Sequence, residues 1–183
     1  SKGGFYSAED AESAISFENL NKKQEGFFYL WEKDEINSIA PKEHADLFNE
    51  YFGVVHKGNT ISDPHGIFGT TNVLYKTDDF YEVAKRNNIS INEAEVIIKE
   101  TLSLLKKQRD KRPRPFLDKK ILTTWNSFMI SSFVKGYMVT GNEEYKKTAV
   151  RAVSFLINNL YKEGEEKLYH RYIDGEVKFD GGL

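Results

Sequence analysis

Two short stretches of the chain concentrate side chains able to do polar chemistry. Gly3-Gly4-Phe5-Tyr6-Ser7-Ala8-Glu9-Asp10-Ala11-Glu12 sets two glycines, two aromatics and three carboxylates within ten residues. Glycines let a backbone approach its surroundings closely, aromatic faces stack on flat or sugar-like rings, and carboxylates grip hydroxyls or move protons. The same residues also fit a plain turn and helix start, with Ser7 as cap and Asp10 complementing the first-turn dipole. The second stretch runs from Arg114 to Asn126. Pro113 and Pro115 stiffen its approach, and Asp118, Lys120, Trp125 and Asn126 follow around an expected helix N-terminus, where free amides favour anionic or oxygen-rich groups. A tryptophan face beside an acid, an amine and an amide suits a carbohydrate. A capped helix with Trp125 in the core and Asp118 and Lys120 in solvent fits equally.

If these stretches form one site, the chemistry with the clearest residue requirement is glycoside hydrolysis. It uses two carboxyl groups about 5 to 10 Å apart, one kept protonated and the other ionised. Asp10 and Asp118 are then the catalytic candidates. Tyr6, Glu9, Lys120, Trp125 and Asn126 are the substrate-binding ones, with Trp125 as sugar platform and Lys120 and Asn126 orienting hydroxyls or stabilising charge. His44, His56, His65 and His170 show no ligand spacing, so no metal site is expected, and neither a P-loop nor a dinucleotide fingerprint calls for a cofactor. Ser7 sits in no nucleophile elbow. The run Lys106 to Lys120 holds eight Lys or Arg against two Asp, but it lacks interleaved aromatics for base stacking. It reads as a solvated helix end, and no nucleic acid is expected as partner.

The elements that position these residues follow from periodicity. Gly26-Phe27-Phe28-Tyr29-Leu30-Trp31 reads as a short buried strand, Lys33 to Ile36 as the first turn of a helix, and Lys42 to Phe52 as a helix stopped by Gly53. His56 to Thr71 is loop. Ser90-Ile91-Asn92-Glu93 is a capping box opening a helix through Leu105 that stops near Asp110. Thr123 or Thr124 caps a helix with Trp125, Phe128, Met129, Phe133, Tyr137 and Met138 on its apolar face, ended by Gly141. The helix from Glu143 to Leu160 follows within about three residues, and its expected buried face includes Tyr145, Ala149, Val153, Leu156, Ile157 and Leu160. The pair makes an αα-hairpin. Asp174-Gly175 between two strand-like runs signals a two-residue β-hairpin. Helical hairpins alternating with small β-insertions are the pattern of an α/α toroid.

Composition bounds the rest. The chain has 183 residues, no cysteine, and 26 basic against 28 acidic residues. Disulfide scaffolds, zinc-thiolate sites and cysteine nucleophiles are excluded, and no run of about 20 apolar residues offers a membrane span. A soluble, cytoplasmic domain with no membrane partner is expected. The opening Ser-Lys-Gly-Gly-Phe, without Met, reads as a piece of something longer.

The ordered set Gly3 to Ala11, Glu25 to Trp31, Gly58-Asn59, Thr71-Asn72-Val73-Leu74, Arg112-x-Arg114-Pro115, Leu117-Asp118 and Lys120 to Asn126 resembles one family. It is similar to the thioredoxin-domain-containing proteins of the YyaL and spermatogenesis-associated thioredoxin-like type, over essentially Gly3 to Leu183. The resemblance implies a mainly α fold, a partial (α/α)6 toroid of the six-hairpin glycosidase type with small β-hairpin insertions. Residues 1–183 would be the N-terminal portion of that toroid. A thioredoxin-like module would lie upstream of residue 1 and be a partner within the full-length chain, and an acidic segment would begin beyond Leu183. The family often has His, Asp and Gly where this chain has Phe116, Lys119 and Ser127, and the missing carboxylate at Lys119 works against an acidic pair there. The implied function is carbohydrate-active, hydrolase or epimerase-like, or carbohydrate-binding, with a sugar-like small molecule as ligand. The alternative is a non-catalytic scaffold for the redox module.

Overall fold

The computed structural model describes residues 3–61, 63 and 66–180. Helices dominate, with small sheets between them, and the chain divides into two compact units. Unit 2, Ala11–Phe116, is continuous; unit 1 combines Ser1–Asp10 with Leu117–Leu183.

Unit 2 opens with a hairpin of two short strands, Glu12–Ala14 and Lys23–Glu25, paired from Glu12↔Glu25 to Ala14↔Lys23. The aromatic run behind Gly26 is not the strand its composition suggested. Gly26 takes φ 70° and starts a single 3-10 turn over Phe27–Tyr29. The reason lies 85 residues away. Arg112 Nη1 donates to the carbonyls of Phe27, Phe28 and Leu30 at 3.1, 3.2 and 2.7 Å, and oxygens converging on one cation cannot alternate into a ladder. Arg112 Nη2 reaches both oxygens of Glu35, at 2.8 and 2.7 Å, and the guanidinium lies 4.2 Å from the centre of the Trp31 ring. Trp31 itself bridges to Asn72.

Helices Lys33–Ile39, Lys42–Tyr51, Phe80–Arg86 and Ile91–Arg109 (α1 to α4) enclose a core that includes Trp31, Ile36, Phe48, Val83, Ala94 and Leu105. The capping box is real at its first half: Ser90 Oγ accepts from Glu93 N at 3.2 Å. Helix α3 had no counterpart in the sequence reading; its signal is Asp79, whose carboxylate accepts from the amides of Tyr81 and Glu82. Gly53, at φ 59°, ends the second helix as expected. Within the described part of His56 to Thr71 there is no helix or strand. Asp63 ties that loop together by accepting from the amides of Ile67, Phe68 and Gly69.

In unit 1, Thr123–Thr140 (α5) and Glu143–Leu160 (α6) pack against each other across Gly141, which caps α5 at φ 68°, and Asn142, whose side chain accepts from Glu144 N. The αα-hairpin is therefore as expected, but the buried faces differ. Helix α5 buries only Thr123 and Asn126, while Trp125 is 52% and Met138 77% exposed. On α6 the buried stripe is Ala149, Ala152, Phe155, Leu156 and Leu160, with Tyr145, Val153 and Ile157 outside it. That stripe faces Ile121 and a small antiparallel sheet. In the sheet, Lys167–Ile173 pairs with Ile121–Leu122, Tyr161–Lys162 and Glu176–Asp180. Asp174 at φ 46° and Gly175 at φ 94° make the two-residue turn predicted for them.

Candidate functional site

The two chemically loaded stretches meet within unit 1. Ala8–Glu9 (β1) pairs antiparallel with Leu117–Asp118 (β2), with Ala8 opposite Asp118 and Glu9 opposite Leu117. The helix start considered for Ser7 to Asp10 does not form. Two glycines make the approach possible. A Cβ on Gly3 would stand 2.6 Å from the Arg151 carbonyl oxygen, and one on Gly4 would stand 2.8 Å from Ile121 and 2.9 Å from Phe155. The segment that follows is held by polar contacts. Asn126, only 1% exposed, accepts from Phe5 N at 2.7 Å and donates to the carbonyls of Phe5 and Leu122 at 3.1 and 2.9 Å. Ser7 Oγ donates to Lys120 O at 2.8 Å, and Ser7 N donates to Asp118 O at 3.2 Å. Phe5 stacks on Phe133 with ring centres 5.5 Å apart.

This places the expected ligand residues in two groups. Tyr6, Trp125 and Asn126 line one groove of about 410 Å³ together with Phe5, Phe128 and Met129. Trp125 is not core; more than half of its surface is open. Asp118 and Lys120 form the second group. Asp118 Oδ1 accepts from Lys120 N at 3.1 Å, and Oδ2 lies 3.0 Å from Lys120 Nζ. The amide of Lys120, then its ammonium, hold the Asp118 carboxyl below the usual carboxylate range. Asp118 is thus an ionised, paired group, suited to act as base or anion and unsuited to donate a proton. Glu9 and Asp10 are exposed at and just beyond the end of β1, outside the groove lining.

The helix N-terminus is also built differently from the expectation. Neither threonine caps α5, whose N-cap is Leu122; Thr123 Oγ1 instead donates to Tyr169 O at 2.6 Å and ties the helix to the sheet. Phe5, Phe128 and Met129 were not singled out as groove residues. Their signal was the three- and four-residue spacing of Phe128 and Met129 from Trp125, which puts all three on one helix face.

Elsewhere, His44 lies 4.0 Å from Glu100 and His56 3.5 Å from Asp34, His170 is exposed, and His65 falls outside the described residues. Among the described residues no three His, Asp or Glu side chains gather as a metal site would require. No described helix is long and apolar enough to cross a membrane.

The fold and site together define a mainly helical chain of two units, one of which carries an aromatic groove held by an inward-turned N-terminal segment. No family profile matches the chain. It is 37% identical to an uncharacterized protein of Caenorhabditis elegans over 96% of its own length and 25% of that protein's. It is 29% identical to spermatogenesis-associated protein 20 of Rattus norvegicus and 28% identical to that of Homo sapiens, over 91% of its length and 22% of theirs. The chain thus spans about a quarter of the length of the curated relatives it matches. The likeness to spermatogenesis-associated proteins expected from the ordered motifs is present.

Proposed function

We propose that the Tyr6–Trp125 groove binds carbohydrate and that unit 1 is part of a carbohydrate-active domain. The observation that carries this is the open face of Trp125 beside Tyr6 in a concave groove of about 410 Å³, a size and lining suited to one or two sugar rings. The charge state of Asp118 favours binding over proton donation. In a catalytic version, Asp118 is the ionised carboxylate and Asp10, or Glu9, must supply the acid. Asp10 follows directly on β1, whose Ala8 stands opposite Asp118. Lys120 then neutralises Asp118, and Asn126 acts by pinning Phe5 rather than by touching ligand. The helical hairpin with its β-insertion is compatible with the opening part of an (α/α)6 toroid, and a thioredoxin-like module of the same full-length chain and a cytoplasmic location belong to this reading.

A second reading has its own observation. The Asn126 amide and the Ser7 hydroxyl are engaged with backbone, as a purely structural clamp would require. In that reading unit 1 is a non-catalytic scaffold for the redox module. A ligand-observed NMR screen of neutral mono- and disaccharides separates the two, using the protein, Trp125→Ala and Asp118→Ala. The carbohydrate reading expects binding that disappears in Trp125→Ala with the melting temperature unchanged. Absence of binding in all three, or equal binding in all three, refutes it.

A further inference from the structure

Tyr6 also lines a second, larger cleft of about 640 Å³ in unit 1, whose chemistry differs from that of the Trp125 groove. Its apolar base is Ile121 and Phe155, and the Tyr172 ring stands edge-on to Phe155 at 5.1 Å. One wall is a polar stripe of α6. Arg151, Ser154 and Asn158 recur at three and four residues, so all three face the cleft from one side of the helix while its buried stripe packs inward. Arg151 Nη2 donates to Thr148 Oγ1 at 3.0 Å, and its charge is also felt by Glu144 earlier on the same helix. Lys119, between β2 and Ile121, supplies a second cation. Among the described residues neither cation is in an ion pair, whereas the neighbouring Lys120 is committed to Asp118. The one carboxylate on the lining is Asp174, in the hairpin turn.

Two cations against one carboxylate give the cleft a positive excess, and they stand above an apolar base flanked by two tyrosine rings. A neutral sugar would make no use of either charge; a bare inorganic anion would leave the aromatic walls and the Ser154 and Asn158 side chains unused. The volume lies within the range of about 300–1,000 Å³ typical of small-molecule sites. We infer that this cleft binds a small polyhydroxylated anion, a sugar phosphate or a sugar acid. Lys119 and Arg151 take the anionic group, Ser154 and Asn158 take hydroxyls, and Tyr6 and Tyr172 flank the ring. The site does not depend on the Trp125 groove, with which it shares only Tyr6.

Isothermal titration of the protein with glucose 6-phosphate, glucuronate, glucose and inorganic phosphate tests this. At least one of the two charged sugars should bind and should still bind in Trp125→Ala, whereas glucose should not bind in Trp125→Ala, where the other groove is disabled; which charged sugar binds assigns phosphate or carboxylate as the preferred group. Lys119→Gln and Arg151→Gln should each weaken binding about ten-fold, the loss of one charge-assisted hydrogen bond. Lys119→Arg should retain it, and Trp125→Ala should leave it unchanged. Both cations are exposed, so an unchanged melting temperature is expected in each variant. Equal binding of glucose in Trp125→Ala, no binding of either charged sugar, or unchanged affinity in both Gln variants overturns the assignment. Inorganic phosphate binding as tightly as the sugar phosphate overturns the ring-binding part. Loss of binding in Trp125→Ala alone transfers the ligand to the other groove and ends this proposal while supporting that one.

Discussion

Replacing Arg112 by Ala should destabilise unit 2, and the size of the effect can be worked from its contacts. The side chain is 13% exposed, makes two hydrogen bonds to Glu35 and three to the carbonyls of Phe27, Phe28 and Leu30, and covers the Trp31 ring. Removing it strands a carboxylate that is 30% exposed and takes a donor from three carbonyl oxygens, of which Phe27 O keeps the Leu30 amide at 3.3 Å. Breaking a buried pair by deleting one partner costs about 3–5 kcal/mol. Partial exposure of Glu35 puts the expectation near the low end, about 3 kcal/mol. Arg112→Lys keeps the charge but loses the planar fork, so about half of that loss is expected. Trp31 and Trp125, the only tryptophans in the chain, lie in different units. Urea titration followed by fluorescence in a Trp125→Phe background therefore reports on Trp31 and unit 2 alone. Arg114→Ala, which breaks an exposed pair to Asp110 and one guanidinium contact to the Phe28 ring at 5.2 Å but no hydrogen bond to the turn, is the comparison and should cost about 1 kcal/mol. If Arg112→Ala costs no more than Arg114→Ala, the convergence of carbonyls on Arg112 does not organise the aromatic turn and the account of that turn is wrong.

Two further outcomes concern unit 1. Asn126→Asp removes the donors to Phe5 and Leu122 and sets a charge against their carbonyls, so a loss of about 2–4 kcal/mol is expected, with the Phe5–Phe133 stack lost from ring-current shifts in the NMR spectrum. Asp118 has a lowered pKa when folded, so its contribution to stability is present above the unfolded carboxylate value near 3.8 and is lost as pH falls through the folded value. Thermal melts of Asp118→Asn should accordingly show a weaker fall in stability below pH 4 than the unaltered chain; identical profiles would remove the Asp118–Lys120 pair from the argument.

What the sequence made legible was mostly local. The helix cap at Ser90, the Gly141 stop, the α5–α6 hairpin and the Asp174-Gly175 turn all depend on residues within a few positions of one another, and all are present in the structure. What failed depended on distant partners. The aromatic run at Phe27 looked like a strand because nothing nearby reveals that Arg112 will gather its carbonyls. Thr123 looked like a cap because Tyr169, which takes its hydroxyl, is 46 residues on. The short strands Ala8–Glu9 and Leu117–Asp118 carry too few residues for a period-two pattern, so their pairing was invisible although both had been singled out for chemistry. Of the candidate site, the aromatic and amide members proved to share a groove, and the acids were legible as residue types but not as a pair. Arg151 was missed because a polar stripe on an amphipathic helix reads as ordinary solvent-facing surface.

The clamp between Phe5 and Asn126 joins positions 121 residues apart, with the whole of unit 2 threaded between them. On a ribosome this imposes an order of events. Unit 2 emerges with all its partners in hand and can collapse at once, while the Gly3–Asp10 segment must wait, unpaired, until α5 and α6 have been made. Loop closure over so long a stretch adds little equilibrium cost beyond a shorter one, but it delays the final step. For several seconds of synthesis at about 5–20 residues per second, Phe5 and Tyr6 are nascent-chain side chains without a home.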